Sequence, residues 1–211
     1  MKQSLFIVAV ISFAISPLCA GQPGEIVLNK PELSSGKPFM QCVALRRSLR
    51  NFSAKPLSQQ QIADILFVAD GVTRENGRKT VPTARNKQNQ SVYAFTADGA
   101  YLYNSKKHSL IPVLKGDYRK ECGKQPFHGK APLILVFVSD MKAIGDTPEA
   151  QALYAGNHSG SASQNVYLYA ASEGLATVVC GMLDRSKLKS LLKLPADQQV
   201  IFSQPIGYPG K

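Results

Sequence analysis

The chain has 211 residues, 44% of them hydrophobic, with no Trp and a formal net charge of +11. That length and apolar share suit one domain with a buried core and exclude a chain that is disordered throughout. A single apolar run, at the N-terminus, excludes a polytopic membrane protein, and four Cys without short zinc-ligand spacing exclude a disulfide scaffold or a zinc module.

The first segment reads as an address. Met1-Lys2, the apolar stretch Leu5 to Ile15 and the small residues ending in Cys19-Ala20-Gly21 have the form of a secretory signal peptide cut after Ala20, so residues 1–20 are assigned to it. As helix the apolar stretch rises about 16 Å, short of a bilayer core of about 30 Å. Losing Lys2 leaves the mature chain at +10, exported, with the periplasm as the expected compartment. An oxidising compartment permits a Cys42–Cys122 bridge, but buried free thiols are the plainer reading of Cys42, Cys122 and Cys180.

Residues 21–37, rich in Gly, Pro, Ser and Asn, form an N-terminal arm, and residues 38–211 form the domain. Pro38 to Arg47 predicts a first helix. Ser58-Gln59-Gln60-Gln61 is a capping box, and Ile62, Ile65, Leu66 and Ala69 follow at helical spacing until Gly71 ends the second helix. From Ser91 the period becomes two, and Asp98-Gly99 predicts the turn of a hairpin leading into Tyr101-Leu102-Tyr103. Ser109 to Val113 extends this meander, and the continuous apolar run Pro132 to Ser139 predicts a central strand. Thr147 to Ala155 and Ser161 to Glu173 predict two helices, the second closed by Gly174. Asp184 caps a basic helix that runs to Leu194, where Pro195 stops it, and Val200 to Gln204 predicts a last short strand. Helices and strands mix without regular alternation, which favours an α+β fold over a doubly wound sheet.

Three groups of residues carry chemistry. Arg46-Arg47-Ser48-Leu49-Arg50-Asn51-Phe52 places three guanidiniums and a hydroxyl at a helix exit, a donor set matched to phosphate oxygens. Arg46 and Arg47 on a continuing helix would diverge by about 100°. The helix is therefore expected to end near Arg47, with Ser48 and Arg50 brought round by the turn. Gly77 to Gln88 is a basic, turn-forming loop directly before the first strand. Glu173 to Asp184 is nearly uncharged in its middle and rich in small residues, so a flat ligand can lie against its backbone. His108 and His128 are candidate acids by residue type, but His108 matches a hairpin position and reads as structural, and His158 falls in a predicted loop without a partner.

In this order the groups resemble the nitroreductase superfamily of FMN-dependent oxidoreductases, over roughly residues 38–209. Arg46-Arg47-Ser48-Leu49-Arg50-Asn51-Phe52 is similar to the family's opening, which in relatives holds the FMN phosphate and ribityl chain. Pro82-Thr83-Ala84-Arg85-Asn86 is similar to the loop at the flavin ring. Gly174-Leu175-Ala176-Thr177-Val178 precedes the backbone of Val179, Cys180 and Gly181, which in relatives faces the isoalloxazine. Pro205-Ile206-Gly207-Tyr208-Pro209 is similar to the terminal strand end. The hairpin Asp98 to Tyr103, with Lys107-His108-Ser109-Leu110, resembles the SagB-type branch, which includes peptide azoline dehydrogenases.

The resemblance implies a mixed, mainly antiparallel sheet flanked by helices, and a homodimer with C-terminal strand exchange and FMN at its interface. It implies FMN contacts from Arg46, Arg47, Ser48, Arg50, Pro82, Thr83, Ala84, Asn86, Val179, Cys180 and Gly181, and a small-molecule substrate; no metal and no catalytic side chain are implied. Larger relatives add a basic pair beyond the terminal strand, a task that falls here to Lys211 and the arginine cluster. Val179 replaces an aromatic residue of many relatives, and Cys180 an aliphatic one. The stripe Ala162, Val166, Tyr169, Ala170 and Glu173 suits either a subunit interface or a core. Two other functions fit the residues: a flavin-binding protein without turnover, and a basic module for an anionic polymer. Sparse aromatics and the export signal argue against nucleic acid.

Overall fold

The computed structural model describes residues 24–211, so the expected signal segment lies outside the described residues. Seven strands form one sheet in the order β1-β4-β3-β2-β5-β7-β6. They are β1 (Ile26–Val27), β2 (Gln90–Phe95), β3 (Gly99–Asn104), β4 (Ser109–Lys115), β5 (Leu133–Asp140), β6 (Ala176–Thr177) and β7 (Gln198–Gly207). Every pairing is antiparallel, in keeping with the α+β expectation. Four α-helices complete the domain: α1 (Phe39–Leu45), α2 (Gln59–Asp70), α3 (Pro148–Glu173) and α4 (Arg185–Leu191).

β5 shows why the two faces differ. Its residues alternate between two cores: Leu133, Leu135 and Phe137 pack with Ile65, Leu66, Ala162, Val166 and Ala170 of α2 and α3. Ile134, Val136 and Val138 pack with Leu188 of α4, Leu192 and Cys122 on the other face. A strand covered on both sides has no polar alternation, which is why it reads as one apolar run.

The arm is strapped down. β1 pairs with β4 and forms the edge of the sheet, Glu32 N–H donates to Asp64 Oδ1 at 2.9 Å, and Lys37 N–H donates to Ser172 Oγ at 2.9 Å.

Several boundaries differ from the sequence reading. α1 stops at Leu45, because Arg46 already has extended ψ (122°). α2 keeps its capping box, with both reciprocal bonds of Ser58 and Gln61. Gly99 does not turn the hairpin by positive φ; it opens β3, where a Cβ would run into the Leu114 carbonyl of the neighbouring strand. The two helices expected between Thr147 and Glu173 are one helix of 26 residues, capped by Thr147 and closed by Gly174 at φ 68°. Gly156 and Gly160 each cost a helix about 1 kcal/mol relative to Ala. The buried face of Ala155, His158, Ser159 and Ala162 outweighs that cost. α4 ends at Leu191, before Pro195 is reached. β7 has ten residues and runs through Pro205. The proline pairs with Ile134 of β5 but lacks an N–H, and on its other side it falls in the gap between the Ile206–Thr177 and Ser203–Cys180 pairs.

The stripe on α3 is core in this chain: Ala162, Val166 and Ala170 are buried against the sheet. At the C-terminus, Gly210 N–H donates to Asn51 O and Pro209 bridges Phe52, so the last residues pair within their own chain.

Candidate flavin site

The basic segment leaves α1 in extended conformation and runs beside β6, where Leu49 N–H donates to Thr177 O at 3.0 Å. Arg47, Ser48 and Arg50 are exposed, and Arg46 is half-buried with its guanidinium carbon 5.2 Å from the centre of the Tyr167 ring. Among the described residues no carboxylate forms an ion pair with Arg46, Arg47 or Arg50. These charges are therefore available to an anion.

The third group meets the first through a residue the sequence analysis did not single out. Tyr167, buried on α3, accepts the Val179 N–H at 2.9 Å and stands 2.8 Å from Ser48 Oγ. Cys180 N–H donates to Ser203 O at 2.7 Å, and Ser203 N–H returns to Cys180 O at 3.0 Å, fixing the next residue against β7. Beyond it Gly181 is exposed, and a Cβ there would meet only the Phe202 ring at 4.0 Å. Of residues 179–181 only Gly181 is thus open to solvent, near the arginine segment, while the backbone of Val179 and Cys180 is held by Tyr167 and Ser203. Arg50 acts on the Cys180 thiol, but burial dominates and pushes that thiol up to about 11. A protonated, buried thiol is a packing group, not a nucleophile.

The second group lies elsewhere in the chain. Ala84 N–H donates to His158 Nε2 at 2.9 Å, so the loop is anchored to α3 nine residues before Tyr167. That separation is about 13 Å along the helix, with a rotation that puts the two side chains on opposite flanks of its buried stripe. His158 is therefore not in a loop, as expected, but buried in α3 with two partners. His108 is structural, bonded to Tyr103 Oη at 2.7 Å and Asn29 O at 2.8 Å. His128 is fully buried, stacked on Phe127. The three described cysteines are free and buried, so the permitted Cys42–Cys122 bridge is not formed. A cavity of about 820 Å³ is lined by Ile26, Leu57, Tyr101, Arg119 and Leu133, among others, and contains none of the expected flavin contacts.

The family model for the nitroreductase family matches residues 43–208. A protein of Methanocaldococcus jannaschii assigned as a nitroreductase is 31% identical over 176 residues, 77% of this chain and 86% of that protein. A crystal structure assigned likewise, from Ralstonia eutropha JMP134, superposes with a TM-score of 0.83 at 35% identity, over 89% of this chain and 90% of that one. The NADPH:FMN oxidoreductase of Vibrio harveyi, solved with NAD+, shares the fold at TM-score 0.60 and 24% identity, over 82% of this chain and 69% of that one. The fold and the ordered motifs define a family of oxidoreductases. This chain belongs to the nitroreductase family.

Proposed function

We propose that the protein is an exported FMN-dependent oxidoreductase of the SagB-type branch, a homodimer that moves a hydride to or from a small organic substrate. The observation that carries this reading is the junction at Tyr167. There Ser48 of the arginine segment and the Val179 amide share one hydroxyl, which supports phosphate donors lying close to the backbone of 179–181. FMN, when bound, supplies the hydride chemistry at its N5.

The residues of this chain bind and orient. Arg46, Arg47 and Arg50, with Ser48, form charge-assisted hydrogen bonds to the phosphate. Val179, Cys180 and Gly181 present backbone to the ring, and the Pro82-Thr83-Ala84-Arg85-Asn86 loop covers its polar edge. Charge, exposure and the space at Gly181 fit the group.

A second copy completes the site on this reading. The loop of residues 82–86 lies on the other flank of α3 from the arginines of its own chain, so one chain does not surround a ligand. An exposed apolar surface is present for the partner. Phe39 (66% exposed), Met40 (72%), Val43 and Leu45 of α1 are too apolar to be left to water. The branch rests on the likeness of the hairpin sequence Asp98 to Tyr103 with Lys107-His108-Ser109-Leu110. Export rests on the first twenty residues. The test is purification of the mature protein: a yellow sample with stoichiometric FMN and reduction of a nitro or quinone acceptor supports the reading, and a colourless protein that FMN does not tint refutes it.

A further inference from the structure

His158 touches none of the residues assigned above to the phosphate or the ring face, yet it is 2% exposed near the middle of α3 and bonded at both nitrogens. Its partners fix its protonation. A backbone amide can only donate, so Nε2, 2.9 Å from Ala84 N, must carry a lone pair. The proton of the neutral ring then sits on Nδ1 and is donated to Asn89 Oδ1 at 2.7 Å. With its oxygen so used, Asn89 donates from its amide nitrogen to the buried Ser139 Oγ at 2.7 Å. The chain of polarities runs from the loop through α3 to β5, and only neutral imidazole satisfies it.

The loop needs such an anchor. Arg85, Asn86 and Gln88 all have positive φ (52°, 53° and 45°), three left-handed residues with side chains in a stretch of four. Such backbone persists only where its surroundings over-determine it. Within the loop, Asn86 N–H donates to Thr83 O and Gln88 N–H to Thr83 Oγ1, both at 2.9 Å. Those bonds close the turn on itself. The bond from Ala84 to His158 ties it to α3, and it satisfies the first amide of the short 3-10 turn Ala84–Asn86.

We propose that His158 is a positioning residue: by accepting the Ala84 N–H, its neutral imidazole holds the 82–88 loop in the shape that meets the flavin. The inference rests on the reading of that loop as a flavin contact. Protonation puts an N–H on Nε2, facing another N–H, and the anchor is lost. Burial lowers the His158 pKa below its usual value. The titratable groups on the elements around it are Tyr154, stacked 6.0 Å away one turn earlier, the exposed Arg85 and Lys87 of the loop, and Asp140 at the end of β5. Asp140 Oδ1 accepts the Ala143 N–H, and among the described residues no carboxylate is bonded to the imidazole to favour its charged form. Acid therefore releases the loop.

Two readouts test this on the full mature protein: hydrogen-exchange protection of the Ala84 amide, and FMN affinity by fluorescence titration, each at pH about 7.5 and about 5. His158→Gln offers an acceptor of similar reach that does not titrate, and His158→Leu offers none. Wild type should lose Ala84 protection and about 5- to 10-fold in FMN affinity at the lower pH, the worth of one neutral hydrogen bond. His158→Gln should hold both at either pH, and His158→Leu should lack both at either pH. If wild type and His158→Gln respond identically to acid, His158 does not position the loop, and this holds even where the leucine variant fails to fold. If Ala84 protection follows His158 while FMN affinity does not, the loop is anchored as described but is no flavin contact, and the proposal falls with that reading.

Discussion

Ser48 Oγ and Tyr167 Oη stand 2.8 Å apart across 119 residues of sequence, and the same Tyr167 hydroxyl takes the Val179 amide. One buried phenol thereby sets the distance between Ser48 and the backbone at Val179. Tyr167→Phe keeps the ring under Arg46 but strips both partners. Val179 N–H is half-buried, so the cost in stability should be about 1–2 kcal/mol, read by urea unfolding. FMN affinity should fall at least as far. A variant with wild-type affinity would mean that the junction does not define the site.

The apolar face of α1 is predicted to be the subunit contact. Met40→Glu together with Val43→Glu places two carboxylates on a surface that is otherwise exposed hydrocarbon. Sedimentation should show monomers, with FMN lost in the same step, because the loop of residues 82–86 is then no longer supplied across the interface. A monomer that keeps stoichiometric FMN would contradict the shared site.

Cys180 is predicted to be chemically idle. Its thiol is buried and raised to about 11, and burial also raises that of Cys122 well above normal. Native protein at pH 8 should resist alkylation, while the unfolded chain reacts readily. Cys180→Ala should keep flavin and turnover and lose at most about 1–2 kcal/mol in stability. Loss of turnover with flavin retained would show that the sulfur takes part.

Asp70 and Lys79 clamp the ends of the 71–78 loop with a bond of 2.5 Å, Asp70 being 4% exposed. Lys79→Met leaves that carboxylate buried and alone, which should cost about 3–5 kcal/mol. Burial raises Asp70 to about 6 in spite of Lys79. A raised acid binds its proton more tightly when folded, so its contribution is full below the usual carboxylate range and is lost as pH rises through about 6. The histidines act oppositely: burial lowers His108, His128 and His158, so stability falls as pH drops below their ordinary 6.5. The difference in stability between wild type and Asp70→Asn should therefore shift against wild type between pH about 4 and about 6. Parallel pH profiles would refute the assignment.

Much of this was legible in the sequence wherever one local rule decided the outcome. The capping box of α2, the unbroken apolar run of β5 and the left-handed Gly174 each act within a few residues. What escaped depended on distant partners. Gly156 and Gly160 look like breakers until α3 is packed along its length, and the single helix is what makes His158 a buried anchor instead of a loop residue. Tyr167 lies one position from the chosen stripe, and nothing local marks a tyrosine whose hydroxyl serves both Ser48 and Val179. Pro205 looks like a strand end because its missing N–H is visible, whereas the gap in pairing that tolerates it is not.

The central claim is that Arg46, Arg47 and Arg50 form a phosphate site and not merely a solvated basic face. Fluorescence titration of the flavin-free mature protein with FMN and with riboflavin, which lacks the phosphate, tests it most directly, using Arg46→Ala, Arg50→Ala and the exposed control Lys115→Ala. A charge-assisted hydrogen bond is worth roughly 1.5–3 kcal/mol. Each arginine variant should therefore bind FMN about 10- to 150-fold more weakly, with Lys115→Ala unchanged and riboflavin far weaker than FMN in wild type. Riboflavin binding as tightly as FMN, or equal FMN affinity in all three variants, would contradict it.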